Sequence, residues 1–318
     1  MNVVLYLPNF GQFLAQYDSA ALERLCASGL VERRDLPLEA FACKSFGIAK
    51  QRDWPVASIS MLGHGLLPTA ESYLQVNLVH FSLQRDFFEP HPLHDLSIED
   101  SNALREKLNQ HFSQAGYQFL ATDDPHVWMM PVSQAMDANT RMISEVWGRD
   151  TRAYMPEGDD ALKLRMLINE AQMLLHEHLV NEQREASGLL PVNSIWFSGG
   201  GVLPEIVAKS KFSFYAEDPL LKGLAVLTKA NHHKVPQTFS DLPKEKHVLL
   251  WLDQLQHLES QWFLPMLKAL RVGKLKRLSL RMGVANYTYI VTLTPLDVWK
   301  FWRLKKPLLT YFSAISTS

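Results

Sequence analysis

The residues best equipped for chemistry gather between Asn169 and Gly201. The stretch NEAQMLLHEHLVNEQREASGLLPVNSIWFSGGG places Asn181 and Arg184 on a helical run and Asn193 just before a strand. Gly199, Gly200 and Gly201 stand where that strand gives way to a loop. Pro204 follows at the expected first turn of another helix. A glycine loop between a strand and a helix offers free backbone N–H groups and a positive dipole end to a phosphate or carboxylate, and arginine adds a charge-assisted contact. Asn181, Arg184, Asn193, Gly199, Gly200 and Gly201 are therefore the candidate anion site, with a phosphorylated small molecule as the expected ligand. The same residues also fit a tight turn with Arg184 on a solvated helix face, since a glycine run is weak evidence by itself.

Other reactive side chains are placed less favourably. His176 and His178 are two apart on a helix, so they face different ways and do not chelate one ion; HEHLV also lacks the H-E-x-x-H spacing. His232 and His233 fall in a loop and His64 lies between glycines, positions where histidine is usually solvated. Trp299, Phe301 and Trp302 read either as a partner surface or as the packed face of a terminal helix.

The elements that must position these residues alternate in type. Val3–Leu7 is an apolar, β-branched run closed by Pro8, which suits a buried strand of a parallel sheet, and Ser19 caps a helix that Gly29 stops. SYLQVNLVHFSLQRDFF alternates as a half-buried antiparallel strand, Ser97–Phe112 is a helix with Leu104, Leu108 and Phe112 four apart, and YQFLAT with HVWMMPV forms a second strand pair. Asp159–Ala186 reads as one long helix. Ser194–Ser198 and Val248–Leu252 are buried strands expected in one sheet with Val3–Leu7. Ser260–Arg271 is a helix that holds Pro265 in its first turn, KRLSLRM and YTYIVTLT are two more strands, and LDVWKFWR is an amphipathic helix. The fold class is thus α/β, a mostly parallel core sheet flanked by helices, with a smaller inserted α+β domain. The expected division is residues 1–60 with 192–318 as core and 61–191 as insertion.

Composition narrows the function classes. A chain of 318 residues with 47% apolar side chains can bury a large core. A formal net charge of −1 lacks the field that drives sequence-independent nucleic-acid binding, so nucleic acid is not an expected partner. Cys26 and Cys43 are too few for a disulfide framework, and no stretch nears the ~18 apolar residues of a membrane span. The expectation is a cytoplasmic protein with no membrane partner.

The glycine-bearing segment resembles archaeal-type cofactor-independent phosphoglycerate mutases, in which a helix ends in H-P-V-N-x-x-R, a Gly-Pro-Ala-Asn-like turn follows, and a strand runs into R-G-x-G. The agreeing positions are His178, Val180, Asn181, Arg184, Gly188, Pro191, Asn193 and Gly199 to Gly201; Leu179 replaces the proline and Ser198 the arginine. Weaker similarity extends over most of the chain, through Leu5-Tyr6-Leu7-Pro8, DSAALERLCASGL from Asp18, and Tyr73–His80 with Asp95–Asn109. With Leu203-Pro204-Glu205 and Leu221-Lys222-Gly223-Leu224-Ala225, the arrangement also resembles a bacterial family named after the RpfE regulatory protein.

That resemblance implies an alkaline-phosphatase-like core and a chemistry of two divalent cations with a phosphoryl-accepting serine. The ligand set is not visible at the matching positions. Asn9-Phe10 stands for the first metal Asp, Leu38-Glu39 for the nucleophilic Ser-Asp pair and Trp251 for a metal His, while YIVTLTPLD has no Asp-His pair. The reading is a degenerate mutase-like scaffold with no catalytic residues, no metal ligands and no cofactor, serving as a regulatory or ligand-binding protein for a phosphorylated small molecule or a regulatory protein partner. The alternatives are a divergent metal-dependent phosphomutase or phosphatase, and a purely structural partner protein.

Overall fold

The computed structural model describes all residues except 15, 16, 70, 134, 206, 207, 254, 255, 301 and 313–318. Its strands in chain order are β1 (Asn2–Leu7), β2 (Leu30–Arg34), β3 (Ser72–Leu83), β4 (Phe88–His91), β5 (Leu120–Ala121), β6 (Val127–Val132), β7 (Ser194–Val202), β8 (Ser213–Tyr215), β9 (His232–His233), β10 (His247–Trp251), β11 (Arg277–Val284) and β12 (Tyr287–Leu293). They fall in two compact units, Met1–Phe46 with Ile206–Ser318, and Gly47–Glu205.

The first unit carries a sheet in the order β2-β12-β11-β1-β10-β8-β9, parallel from β11 through β9 and antiparallel at β12 and β2. The apolar run of β1 is explained by burial on both faces. Val3, Leu5 and Leu7 join a core with Leu22, Leu25, Leu250, Met266 and Leu270, while Tyr6, on the opposite face, stacks on Trp251 at 5.5 Å between ring centroids. Ser19 caps the helix Ala20–Ser28 by accepting from the Leu22 N–H at 3.1 Å, and Gly29 ends it. The expected mostly parallel sheet with flanking helices is present.

The second unit is built on β3, which pairs antiparallel with β7 along one edge and with β6 and then β4 along the other. β5 adds to β6. The alternation in β3 does not make one face wet. Leu74, Val76 and Leu78 enter a core with the helices Ile98–Phe112 and Ala161–His176, whereas Tyr73 packs with Ala57 and Met61 of the helix Val56–Gly63.

Several expectations are corrected. β7 lies in the antiparallel sheet, not beside β1, because a short apolar run is equally satisfied by β3 as a partner and by a parallel neighbour. Residues 47–60 and 192–205, expected with the parallel core, consequently fall in the second unit. The helix expected over Asp159–Ala186 is two, Ala161–His176 and Leu179–Ala186, parted where His178 turns extended and caps the second by accepting from the Val180 N–H. LDVWKFWR forms only a single turn, Asp297–Trp299, and Trp299 and Trp302 are exposed; Phe301 lies outside the described residues.

Gly199 to Gly201 prove to be a packing device. Gly199, at φ +68°, sits in the segment that faces a register shift between Tyr73 and Gln75 of β3. A Cβ there would lie 2.9 Å from the Val56 Cβ and 3.1 Å from the Ala57 nitrogen; one on Gly201 would lie 3.0 Å from the Pro55 Cβ. The glycines let the helix Val56–Gly63 approach the strand. Gly199→Ala combines a left-handed backbone with this clash and is expected to destabilise the protein by about 2–4 kcal/mol, against about 1 kcal/mol for Gly188→Ala, whose φ of +75° faces open space. Urea unfolding of both variants checks the difference.

Candidate functional site

Of the six residues expected to bind an anion, Asn181, Arg184, Asn193 and Gly199 are placed where the donors meant for it are already used. Asn181 is buried; its amide donates to the Leu175 and Val192 carbonyls at 2.7 and 2.8 Å and accepts from the Val192 N–H at 2.7 Å. Asn193 pairs with the Phe81 backbone as another peptide would, accepting at 2.7 Å and donating at 2.9 Å. Arg184, only 4% exposed, spreads its guanidinium over the carbonyls of Leu190, Asp95 and His94 at 3.0–3.1 Å. The Gly199 N–H donates to the Thr140 hydroxyl, which itself donates to the buried Asp53 carboxylate, and the Gly201 carbonyl accepts from Ser58. These residues lie in one unit, but they form no anion cradle: the donors close turns and hold strands. The pattern that suggested a phosphate loop is a structural one.

The groups left for chemistry stand at the carboxyl ends of the parallel strands of the first unit, the edge where open α/β sheets bind ligands. Asn9 follows β1 in a left-handed turn at φ 53°, and its side-chain oxygen is buried with no hydrogen-bond partner among the described residues. Leu38 begins the helix Leu38–Ser45, and a Cβ on Gly283 of β11 would touch the Leu38 Cβ at 3.3 Å and the Asn9 nitrogen at 3.6 Å. Asn9, Leu38 and Gly283 thus meet at one strand edge. Trp251, at the end of β10, is buried on Tyr6 and donates its indole N–H to Asp253 at 2.7 Å. Arg281 of β11 lies over the rings of Tyr6 and Phe41, 4.9 and 5.1 Å from their centroids, and donates to the Ser45 hydroxyl at 3.1 Å.

Beside this edge a cleft of about 560 Å³ is formed by the loops that follow β8, β9 and β10. Glu217, Gln237, Asp253, Gln256, His257 and Gln261 give its polar lining, over Trp251 and Trp262. A wider depression of about 910 Å³ lies at the amino ends of the strands, around Met1, Lys244 and Lys274. Asp218, next to Glu217, caps the helix Pro219–Leu227 by accepting from the Leu221 N–H at 3.1 Å. Desolvation, then the Asp253 charge, pushes its carboxyl up to about 8 against the pull of that N–H, with Glu39 adding to the rise. Asp253 is also raised, first by loss of water around it and further by Glu217, against the Trp251 N–H. The carboxylates crowd one another without a matching set of cations.

The two-cation chemistry implied by the resemblance does not fit these residues. Among the described residues no three His, Cys, Asp or Glu side chains converge to hold a metal ion. Asn9 offers one amide oxygen, a weaker ligand for a hard cation than a carboxylate, and its neighbours Leu38 and Gly283 offer none. No hydroxyl stands at the start of the helix Leu38–Ser45, and burial pushes the thiols of Cys43 and Cys26 up, which makes them poor nucleophiles. The carboxylates after β8 and β10 were not singled out from sequence. Their signal was the acidic residue directly after a buried strand, in Ala216-Glu217-Asp218 and Leu252-Asp253.

No protein-family model matches the chain. Part of it is similar to curated 2,3-bisphosphoglycerate-independent phosphoglycerate mutases. One from Methanothrix thermoacetophila is 36% identical over 87 residues, 26% of this chain and 22% of that protein. A second, from Methanothermobacter thermautotrophicus, is 24% identical over 148 residues, 44% of this chain and 37% of that protein. The matches therefore span between about a fifth and somewhat over a third of these relatives. Among solved structures, the cofactor-independent phosphoglycerate mutase of Thermoplasma acidophilum aligns over 92% of this chain and 89% of its own, with 16% identity and a TM-score of 0.39. A protein of Pyrococcus horikoshii aligns over 92% and 87%, with 12% identity and a TM-score of 0.48.

Two measurements check this account. Arg184→Ala removes a buried guanidinium that ties three loop carbonyls together, so it is expected to lower stability by about 1.5–3 kcal/mol in urea unfolding. Asp218→Asn keeps the cap but removes the ionisable group. Because the folded state raises the Asp218 pKa, its protonated form favours folding, and that stability is lost as pH rises from about 4 to about 8. The variant should melt higher than the parent at pH 8.5, by ~2–4 °C for each kcal/mol lost, and the gap should narrow as pH falls and close near pH 4.

Proposed function

We propose that this chain is a non-catalytic ligand-binding or regulatory protein on a phosphoglycerate mutase-like scaffold, akin to the bacterial RpfE-type proteins and acting in the cytoplasm. The observation that carries the reading is the occupancy of the strand edge. Asn9, Leu38 and Trp251 are the residues that the resemblance matches to positions where phosphoryl transfer through two cations needs carboxylates, imidazoles and a nucleophilic hydroxyl, and Asn9 and Leu38 lie beside Gly283 at one strand edge. A cation pair held ~4 Å apart needs several anionic ligands aimed at common points, and an amide with two apolar side chains and a glycine supplies one neutral oxygen. No catalytic role is assigned to any residue. The phosphorylated ligand expected from the glycine loop loses its support, since Arg184 and the Gly199 N–H are engaged in the fold.

One observation favours a second reading, a divergent metal-dependent phosphomutase or phosphatase. Glu39 and Asp253 are near enough to raise the Asp218 carboxyl, and Glu217 to raise that of Asp253, and carboxylates in such numbers are what a relocated metal site would use. Elemental analysis of the purified protein, with phosphoglycerate mutase and phosphatase assays in added manganese, separates the two. The expected outcome is substoichiometric metal and no turnover above background. Stoichiometric metal with turnover abolished by a chelator would overturn the non-catalytic reading.

A further inference from the structure

The cleft after β8, β9 and β10 has a lining that selects its occupant. Its carboxylates are those of Glu217 and Asp253, accompanied by the amides of Gln237, Gln256 and Gln261 and the imidazole of His257, and among the described residues neither lysine nor arginine lines it. Lys222 pairs with Glu217 at 3.4 Å without lining the cleft, its side chain 26% exposed and that of Glu217 53%, a contact of little energetic weight. Among the described residues Asp253 accepts from the Trp251 indole N–H, one bond that leaves acceptor capacity on its carboxylate. Glu39, near enough to raise the Asp218 carboxyl, adds to the negative field, while Asp218 itself stays largely protonated below about pH 8. An anionic metabolite entering here would meet carboxylates and amides with no lysine or arginine among the described lining residues to receive it. An inorganic divalent cation would find no convergent ligand set among the described residues. The volume of about 560 Å³ lies in the range of small-molecule sites and far exceeds a single ion with its ligands.

We infer that this cleft binds a small organic cation, a primary amine or guanidinium compound, whose N–H donors pair with Glu217 and Asp253 while the glutamine amides orient its polar remainder. The inference rests on the non-catalytic reading and names the ligand class for it. A diamine matches the two carboxylates, each accepting a charge-assisted hydrogen bond, with the apolar stem lying over the Trp251 and Trp262 edges. The ligand then supplies the positive charge that the cleft lacks.

Isothermal titration of the full chain with 1,4-diaminobutane tests this, with 1,4-butanediol as the neutral control, inorganic phosphate as the anionic one, and Mn²⁺ alone as the metal. The diamine is expected to bind one to one and the diol and phosphate not at all. Asp253→Asn, which keeps the acceptor for Trp251, and Glu217→Gln, at an exposed position, are each expected to weaken diamine binding about tenfold or more; Glu32→Gln on β2 should leave it unchanged. Absence of diamine binding would overturn the inference. So would binding that the diol reproduces, binding indifferent to both cleft variants, or one-to-one displacement of the diamine by Mn²⁺. Manganese-dependent turnover in a separate assay would overturn the non-catalytic reading itself, so failure of the ligand class and failure of that reading give different results.

Discussion

A strand buried on both faces has nowhere to put a polar side chain except at its ends. β1 obeys that constraint between β10 and β11, with Val3, Leu5 and Leu7 in one core and Tyr6 stacked on Trp251 in the other. Its two partners run in the same direction, so their loops open at the same edge. Asn9, Gly283 and Asp253 are brought to that edge by the sheet itself, and the cleft follows from the loops of β8, β9 and β10 issuing side by side. The position of the site is therefore a property of the backbone arrangement. Its charge is a property of a few residues that the backbone does not specify.

Much of the architecture was legible because it rests on local signals. The runs of β1 and β10, the Ser19 cap, the Gly29 stop and the strands β11 and β12 each follow from a few neighbouring residues. What could not be read locally is which strand an apolar run selects. Ser194–Val202 carries the same pattern as β1, yet β3 claims it through pairs from Ser72 to Val79. The break after His176 was likewise hidden, since the apolar spacing runs on through Leu179 and only the bonds of His178 and Asn181 reveal a new helix start.

The candidate site was legible in its negative part alone. Asn9, Leu38 and Trp251 could be matched to positions that should bear ligands, and those residue types are visible without coordinates. Arg184, Asn181 and Asn193 misled because an arginine near glycines has the same sequence appearance whether it holds a phosphate or three backbone carbonyls. Asp218 and Asp253 went unnoticed because they are 35 positions apart (253 − 218) and only the β8–β10 pairing makes them neighbours.

The order of the chain through the two units bears on how the protein is made. The second unit is one continuous segment, whereas β1 must pair with strands encoded far downstream: Asn2 aligns with His247 and Arg277. During synthesis at about 5–20 residues per second, the emerged β1 waits roughly 10–50 s for its first neighbour. Meanwhile residues 47–205 are complete and able to collapse by themselves. An apolar strand held unpaired for that interval is a natural client for a ribosome-associated chaperone, and nascent-chain survival is set there by the delay in closing the sheet more than by the final strength of its pairing.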